Sequence, residues 1–233
     1  MKYRYLLTDN DNTLMDFHAA EHQSLCEALS ESGIEPTDAV CERYSTINDS
    51  LWKKLERGEI THPQVKIARF ALLLEEMGVR NVSGDHVALR YCHFLGTHAD
   101  LMPYAVEFLE SIHQHMKIVL ISNGDSVIQR NRLRRCPFTP LLDSIIISSE
   151  KGVSKPDPRL VDYALESVGC TNRSEAVLLG DSKTADIPAA NRAGIDSILI
   201  DWQGKGCDTA TYVTHDLQET EKLLLGSQKT AVS

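Results

Sequence analysis

The sequence lacks an excess of positive charge, since 24 lysines and arginines are outnumbered by 33 aspartates and glutamates, for a formal net charge of −9. The basic residues are also scattered along the chain. A protein that binds nucleic acid or an anionic membrane needs a basic surface, so neither a nucleic-acid polymer nor a membrane is expected as a partner. An anionic substrate must be captured locally, and a bound metal ion is one simple way to do so.

Two further features are missing. The six cysteines form no C-x-x-C pair, which argues against a zinc knuckle or a disulfide framework and favours incidental thiols in a reducing compartment. No apolar run reaches transmembrane length, and Asp9 interrupts the first apolar segment before it is as long as a signal peptide. We therefore expect a cytoplasmic protein, whose oligomeric state the pattern does not indicate.

What the chain does contain is an alternation of helices and strands over residues 98–233. Strands are predicted at 118–121, 144–147, 176–179 and 197–200, between helices ending near 115 and at 127–135, 158–168, 185–193 and 217–225. Such alternation predicts an α/β fold with a Rossmann-like, mostly parallel sheet. The apolar run from Tyr3 to Thr8 predicts one more buried strand of the same sheet.

Residues 16–97 show helical patterns without clear strands. Helices are predicted at 21–32, 37–55, 63–77 and 83–95, and each closes on a glycine. A chain of 233 residues suits a core domain with a smaller inserted module. We therefore predict an α/β core formed by residues 1–15 and 98–233, with residues 16–97 as an inserted all-helical domain.

Polar motifs follow four of the predicted strands. In chain order they are Asp9 and Asp11, then Ser122-Asn123-Gly124, then Lys155, and then Asp181 with Asp186. In a parallel sheet the carboxyl ends of the strands meet at one crevice, so these groups are expected to converge there.

The convergent set has the groups that phosphoryl transfer needs. It offers carboxylates for a hard cation, a hydroxyl and small-residue amides for phosphate oxygens, and a lysine to balance charge. A carboxylate about 4 Å from a phosphate oxygen costs roughly 4 kcal/mol at an effective dielectric near 20. A phosphate dianion therefore requires both Mg²⁺ and Lys155 before it can enter.

These motifs resemble those of the haloacid dehalogenase (HAD) superfamily, whose pattern is D-x-D-x-T, then Ser or Thr, then Lys, then G-D-x-x-x-x-D. The matching residues span the chain in the family's order: Asp9 to Thr13, Ser122, Lys155, and Gly180 to Asp186. The resemblance implies a phosphatase with a helical cap of the C1 type, acting on a small phosphorylated metabolite.

Carried over to this chain, the resemblance implies that Asp9 is the nucleophile and Asp11 the general acid and base. Mg²⁺ would be held by Asp9, by the Asp11 backbone carbonyl and by Asp181, with Asp186 in the outer shell. The transferring phosphoryl group would be bound by Ser122 and Lys155 and by the amides of Asn123 and Gly124. Two departures from the family pattern, Thr8 before the nucleophile and Asn10 between the aspartates, remove no catalytic group.

Within the insertion, Asn48-x-x-Leu51-Trp52 and Gly58-Glu59-Ile60-Thr61 resemble the cap of bacterial pyrimidine 5′-nucleotidases. The expected activity is therefore removal of phosphate from pyrimidine nucleoside monophosphates. Sugar phosphates, phosphoglycolate and an acylneuraminate 9-phosphate stay open as alternative substrates. A dehalogenase does not need Asp11, and a receiver-like regulatory protein has no inserted helical bundle, so both readings are disfavoured.

Overall fold

The computed structural model describes residues 2–226. The strands are β1 (Tyr5–Thr8), β2 (Lys117–Ser122), β3 (Ser144–Ile147), β4 (Ala176–Gly180), β5 (Asp196–Ile200) and β6 (Tyr212–Thr214). The α-helices are α1 (Phe17–Glu31), α2 (Asp38–Glu56), α3 (His62–Glu76), α4 (Gly84–Leu95), α5 (Ala105–His113), α6 (Ser126–Leu133), α7 (Ser148–Lys151), α8 (Pro158–Ser167), α9 (Asp186–Ala193) and α10 (Leu217–Leu225).

The strands form one sheet in the order β3-β2-β1-β4-β5-β6, and every neighbouring pair is parallel. This confirms the predicted α/β class. Thr8 at the end of β1 lies level with Leu120 of β2 and Leu179 of β4. The carboxyl ends of these three strands are therefore adjacent, and β1 lies between the other two.

The central strands are apolar because both of their faces are covered, as is usual for parallel sheets. Leu7 and Val119 are fully buried in a cluster with Leu160 of α8 and Ala189 of α9. A strand buried in this way can change to polar residues only where it leaves the sheet. That is why the polar motifs stand at the strand ends.

The chain divides into two compact units. One contains the sheet and comprises the residues up to Asp16, Leu101–Gly124 and the residues from Cys136 on; the other comprises Phe17–Asp100 and Asp125–Arg135. We call them the α/β unit and the helical unit. The sequence pattern predicts residues 125–135 as part of the α/β core, whereas the contacts of this segment, which contains α6, place it in the helical unit.

The helical unit has its own core, centred on three aromatic rings. The ring centroids of Tyr44, Phe70 and Tyr91 lie 5.2 to 5.9 Å from one another, and all three side chains are fully buried. Three of the four glycines predicted to end helices have positive φ: Gly33, Gly58 and Gly78. Gly96 differs, since it ends α4 at a right-handed φ of −67°.

Two of the elements given above are not predicted by the sequence pattern. Strand β6 has three residues and helix α7 has four, so neither is long enough to show a periodic pattern. Among residues 2–226, no helix combines the length and apolarity needed to cross a bilayer.

Candidate active site

The candidate active site lies in the α/β unit at the carboxyl ends of β1, β2 and β4. Asp9 follows β1 directly, Ser122 is the last residue of β2, and Asp181 follows β4. The structure thus brings these three predicted site residues to one edge of the sheet. Ligands of open α/β sheets bind at this edge.

Asp9 is oriented by contacts with separate parts of the unit. Its backbone N–H donates to the Leu179 carbonyl at 2.8 Å, and only 7% of the residue is exposed. The Thr13 hydroxyl donates to its Oδ2 at 3.4 Å, and Lys155 Nζ donates to its Oδ1. The carboxylate is therefore buried and held in one orientation.

Asp11 is placed by the tight loop that follows Asp9. The Asn10 carbonyl accepts a hydrogen bond from the Met15 N–H at 2.9 Å, and the backbone of Asp11 pairs with Met15 in an isolated bridge. Asn12 has a φ of 57°, a left-handed conformation that asparagine tolerates. Asp11 is partly exposed, so its side chain can exchange protons with solvent more readily than buried Asp9.

Lys155 is the cation of the site and is only 2% exposed. Its Nζ donates to Asp9, lies 2.7 Å from Oδ1 of Asp186, and donates to the Ile121 carbonyl at 3.1 Å. The ammonium group thus makes two hydrogen bonds and one further close ion pair. The lysine therefore joins two of the predicted carboxylates into one charged cluster.

The backbone of Lys155 is held in turn by the side chain of Asn123. The Lys155 N–H donates to Oδ1 of Asn123 at 2.7 Å, and Nδ2 of Asn123 donates to the Lys155 carbonyl at 2.8 Å. The family resemblance predicts a role only for the backbone amide of Asn123. The role of its side chain cannot be predicted from the sequence, because the two residues are 32 positions apart and no local pattern signals the pairing.

Ser122 and Gly124 form a small turn beside this pair. Ser122 is only 1% exposed, and its hydroxyl accepts a hydrogen bond from the Gly124 N–H at 3.1 Å. The structure therefore places both groups next to Asn123, with the Gly124 amide directed at Ser122. Their binding of phosphate stays a prediction.

Asp186 begins α9 and is buried against β4. The Ser182 N–H donates to its Oδ2 at 3.0 Å. A methyl group on Gly180 would overlap the Asp186 carboxylate, so glycine is the residue that allows this close approach. The sequence motif contains Gly180, but it does not indicate that this glycine allows the close approach of Asp186.

Burial and neighbouring negative charge raise the pKa values of two of the carboxylates, Asp9 and Asp181. Burial raises the pKa of Asp9 to about 7, with Asp186 and Asp11 adding to the shift and Lys155 opposing it. Burial and the nearby Asp9 also raise the pKa of Asp181 well above its usual value. Burial disfavours the charged form of Lys155, but Asp186 and Asp9 outweigh it and raise the pKa of the lysine.

The donor set fits a hard cation. One carboxylate oxygen from each of Asp9, Asp181 and Asp186 can be chosen so that all lie within 4.8 Å of one another. A single lysine cannot neutralise three carboxylates, and oxygen ligands of this kind suit Mg²⁺. The cluster therefore has ligands that suit a divalent ion, and a bound ion would favour the ionised forms of Asp9 and Asp181.

The helical-unit residues singled out by the sequence lie largely in its interior. Asn48 is 3% exposed; its Nδ2 donates to Glu21 at 2.8 Å, and its Oδ1 accepts from Arg69 at 3.2 Å. Leu51 is buried, and Trp52 packs partly buried against the same core. In this structure these residues build the helical core, which accounts for Asn48 and Leu51 without a ligand.

Comparison with known proteins shows which proteins this chain is similar to. A family model described as haloacid dehalogenase-like hydrolase matches residues 3–194. The pyrimidine 5′-nucleotidase PynA of Streptococcus pneumoniae is 30% identical over 96% of this chain and 94% of its own. The pyrimidine 5′-nucleotidase YjjG of Escherichia coli is 29% identical over 96% of this chain and 99% of its own.

A solved structure is similar over almost the whole chain. It is that of YfnB from Bacillus subtilis, a protein named as a HAD-hydrolase and crystallised with magnesium, and it is reported to reveal interdomain movement. It is 31% identical, matches with a TM-score of 0.90, and covers 97% of this chain and 100% of its own.

Proposed function

Because the chain belongs to the haloacid dehalogenase-like hydrolases, we propose that it is a magnesium-dependent phosphatase that forms an aspartyl-phosphate on Asp9. We propose pyrimidine nucleoside 5′-monophosphates as its substrates. The observation that carries the chemistry is the buried ion pair of Asp9 and Lys155 beside two further carboxylates. The substrate class is supported by the similarity to PynA and YjjG, each over 96% of this chain.

In the first step, an oxygen of the Asp9 carboxylate attacks phosphorus and forms a P–O bond. The bond from phosphorus to the ester oxygen breaks, and the leaving oxygen takes a proton from Asp11. In the second step Asp11 removes a proton from water, which attacks the same phosphorus. The bond between phosphorus and the Asp9 oxygen breaks, inorganic phosphate leaves, and Asp9 is again a carboxylate while Asp11 is again protonated.

The roles proposed for Asp9 and Asp11 agree with the different environments of their side chains. Asp9 is held in one orientation by Lys155 and Thr13, as an in-line attack requires. Asp11 is partly exposed and two residues away, so it can meet the leaving group and then water. Two different environments for two neighbouring carboxylates are typical of an assigned nucleophile and an assigned acid.

Lys155 and Ser122 are proposed to hold the transferring phosphoryl group. The lysine supplies a buried positive charge at Asp9, where negative charge would otherwise repel the substrate. The Ser122 hydroxyl stands at the end of the neighbouring strand and can donate to a phosphate oxygen. Asn123 keeps Lys155 in position through its two side-chain hydrogen bonds to the Lys155 backbone.

For Mg²⁺ we propose Asp9, Asp181 and the Asp11 backbone carbonyl as ligands. Asp186 is proposed to stay in the outer shell, because it is already engaged by Lys155 and the Ser182 N–H. When bound, the ion would neutralise phosphate oxygens and lower the cost of bringing a dianion beside carboxylates. The chain's own contribution is to orient Asp9 and to place Lys155.

We further propose that residues 16–97 act as the family's cap domain and select the leaving group. Cytoplasmic location likewise stays a prediction from the sequence.

Other phosphomonoesters remain the alternative substrates, since N-acylneuraminate-9-phosphatase of Rattus norvegicus is 22% identical over 85% of this chain.

The test is phosphate release from a panel containing UMP, dUMP, dTMP, AMP, a sugar phosphate, phosphoglycolate and an acylneuraminate 9-phosphate. Each reaction is run with Mg²⁺, with EDTA, and with the Asp9→Asn variant purified in parallel. Preference for the pyrimidine nucleotides would support the full proposal. Preference for another ester would overturn the substrate and keep the chemistry, and equal rates with EDTA would overturn the role of the metal.

A further inference from the structure

A second group of metal-ligating side chains lies within the helical unit. His22 and Cys26 are four residues apart on α1, and Cys41 lies on α2. Residues four apart on a helix lie on one face, so α1 presents an imidazole and a thiol together. The spacing of the cysteines predicts only incidental thiols, because spacing alone does not show that Cys41 meets this face.

We propose that His22, Cys26 and Cys41 form a binding site for one thiophilic divalent ion of the Zn²⁺ type. The site is separate from the carboxylate cluster of the α/β unit and does not depend on the proposed phosphatase function. It has three protein ligands from two helices, which leaves a fourth position for water.

The distances agree with those of a four-coordinate zinc centre. With Zn–S near 2.3 Å and Zn–N near 2.05 Å, tetrahedral angles place two sulfurs about 3.8 Å apart and a sulfur and nitrogen about 3.6 Å apart. The two Sγ atoms lie 3.9 Å apart, and the His22 ring nitrogens lie 3.9 and 4.0 Å from Sγ of Cys26. One ligand atom from each of the three residues can be chosen so that all lie within 4.8 Å of one another.

These distances also distinguish the cluster from a disulfide. A disulfide requires sulfurs about 2.05 Å apart, whereas these lie at 3.9 Å as free thiols. Four other cysteines are free as well, but none belongs to a ligand group of this kind within residues 2–226. The grouping is thus specific to the face between α1 and α2.

The site offers an ion a path from solvent and a partly enclosed position. His22 is exposed, Cys26 is partly buried, and Cys41 is 6% exposed. Binding of the ion would release two thiol protons, and two thiolates would balance its two positive charges.

The choice of ion follows from the ligands. Thiolate and imidazole select soft or borderline ions, whereas Mg²⁺ prefers the oxygen ligands of the carboxylate cluster. A bound ion would link α1 to α2 and stabilise the folded state, because the unfolded chain does not hold the three ligands together. The expected effect of the ion is therefore greater stability of the helical unit.

Cobalt titration of the full chain tests the site, because Co²⁺ replaces Zn²⁺ and reports thiolate ligation through charge-transfer absorption. The reductant is one that does not bind metal. We expect thiolate-to-cobalt absorption and the d–d bands of a four-coordinate ion, saturating at one equivalent and abolished by one equivalent of Zn²⁺. Co²⁺ at the carboxylates gives no thiolate band, and the Asp181→Asn variant should keep the thiolate band while losing any carboxylate-bound Co²⁺.

Three variants locate the ligands. Cys26→Ser should abolish the thiolate band or weaken Co²⁺ binding by more than about tenfold, since losing even a supporting group costs that much. His22→Ala should also weaken it, and this exposed position puts folding at little risk. Cys207→Ser, at a cysteine of the α/β unit, is the matched control and should leave the band unchanged.

Absence of a thiolate band in the unmodified protein would overturn the proposal, as would a band unchanged by both Cys26→Ser and His22→Ala. Zn²⁺ should also raise the melting temperature of the unmodified protein and of Cys207→Ser, and not that of Cys26→Ser. An equal rise in all three would assign the metal to other ligands and contradict the site.

Discussion

The two units both bury charged side chains, but they arrange them differently. In the α/β unit, Lys155 faces Asp9 and Asp186, with Asp181 close by, so negative charge exceeds positive charge. In the helical unit, Arg69 lies over the Tyr91 ring at 4.4 Å and donates to Asn48.

The comparison separates a reactive cluster from a structural one. Buried carboxylates whose pKa values are raised by burial and by each other mark candidate functional sites. The buried guanidinium of Arg69 lies over aromatic rings and donates to Asn48, which donates in turn to Glu21, so contacts within the helical core hold it in place. The following variants test that difference, beginning with the largest expected effect.

Replacement of Lys155 by Met should have the largest effect on both stability and activity. It removes the cation from a buried cluster and leaves the carboxylates uncompensated, which costs about 3–5 kcal/mol in comparable sites. Urea unfolding at neutral pH measures the loss, and phosphate release should fall by at least about 10²-fold. The control is Lys151→Met, at an exposed lysine, which should change the free energy of unfolding by less than about 0.5 kcal/mol.

Unchanged stability of Lys155→Met would contradict the idea that this lysine balances the cluster. Unchanged activity would contradict its proposed role at the phosphoryl group.

Replacement of Arg69 by Met should lower stability while sparing the reaction. It removes the ring contacts and one hydrogen bond, for a loss of about 2–3 kcal/mol of unfolding free energy. Thermal unfolding measures this loss, and hydrolysis of p-nitrophenyl phosphate measures the chemistry without a nucleotide. A fall in that rate as large as for Lys155→Met would break the distinction between the two units.

Gly180→Ala and Gly96→Ala form a matched pair, one in each unit. The methyl group of an alanine at position 180 would overlap Asp186 and displace it. We therefore expect the free energy of unfolding to fall by about 1–3 kcal/mol and the activation by Mg²⁺ to weaken. At Gly96 φ is −67° and the nearest atoms lie at 3.4 Å or more, so alanine should be neutral or stabilise by about 0.5 kcal/mol. The Mg²⁺ dependence of phosphate release separates the two, and equal dependence would show that Asp186 does not support the metal site.

Among the variants of the candidate active site, Asn123→Ala should have the smallest effect on stability, about 1–2 kcal/mol, because it removes two hydrogen bonds at the Lys155 backbone. The rate at saturating substrate should fall more than KM rises, since Lys155 remains present but is less well placed. Asn123→Asp keeps the acceptor and loses the donor, so it should lie between. An alanine variant with unchanged kcat would show that Lys155 needs no such support.

The sequence predicted the α/β unit better than the relations within its site. The apolar runs that end at Thr8, Ser122 and Gly180 show where buried strands stop, so the position of the polar motifs could be read from the pattern. The pairing of Asn123 with Lys155 could not be predicted, because a hydrogen bond from a side chain to a distant part of the backbone produces no periodic pattern in the sequence.

In the helical unit the helices could be predicted, but the faces that meet could not. His22 and Cys26 share a face by spacing alone, yet only the packing of α1 on α2 brings Cys41 to them. Asn48 stands out as a motif residue in the sequence, whereas its contacts with Glu21 and Arg69 place it in the core. Contacts across helices depend on tertiary packing, which a single sequence does not display.

The most direct test of the central claim is phosphate release by Asp9→Asn in the presence of Mg²⁺, compared with Asp49→Asn at an exposed position of α2. The amide is nearly isosteric with the carboxylate but is a far poorer nucleophile, so activity should fall by more than about 10⁴-fold while the melting temperature stays near or above that of the unmodified protein. Asp49→Asn should retain full activity. Substantial turnover by Asp9→Asn, after exclusion of contaminating phosphatase, would contradict the aspartyl-phosphate mechanism.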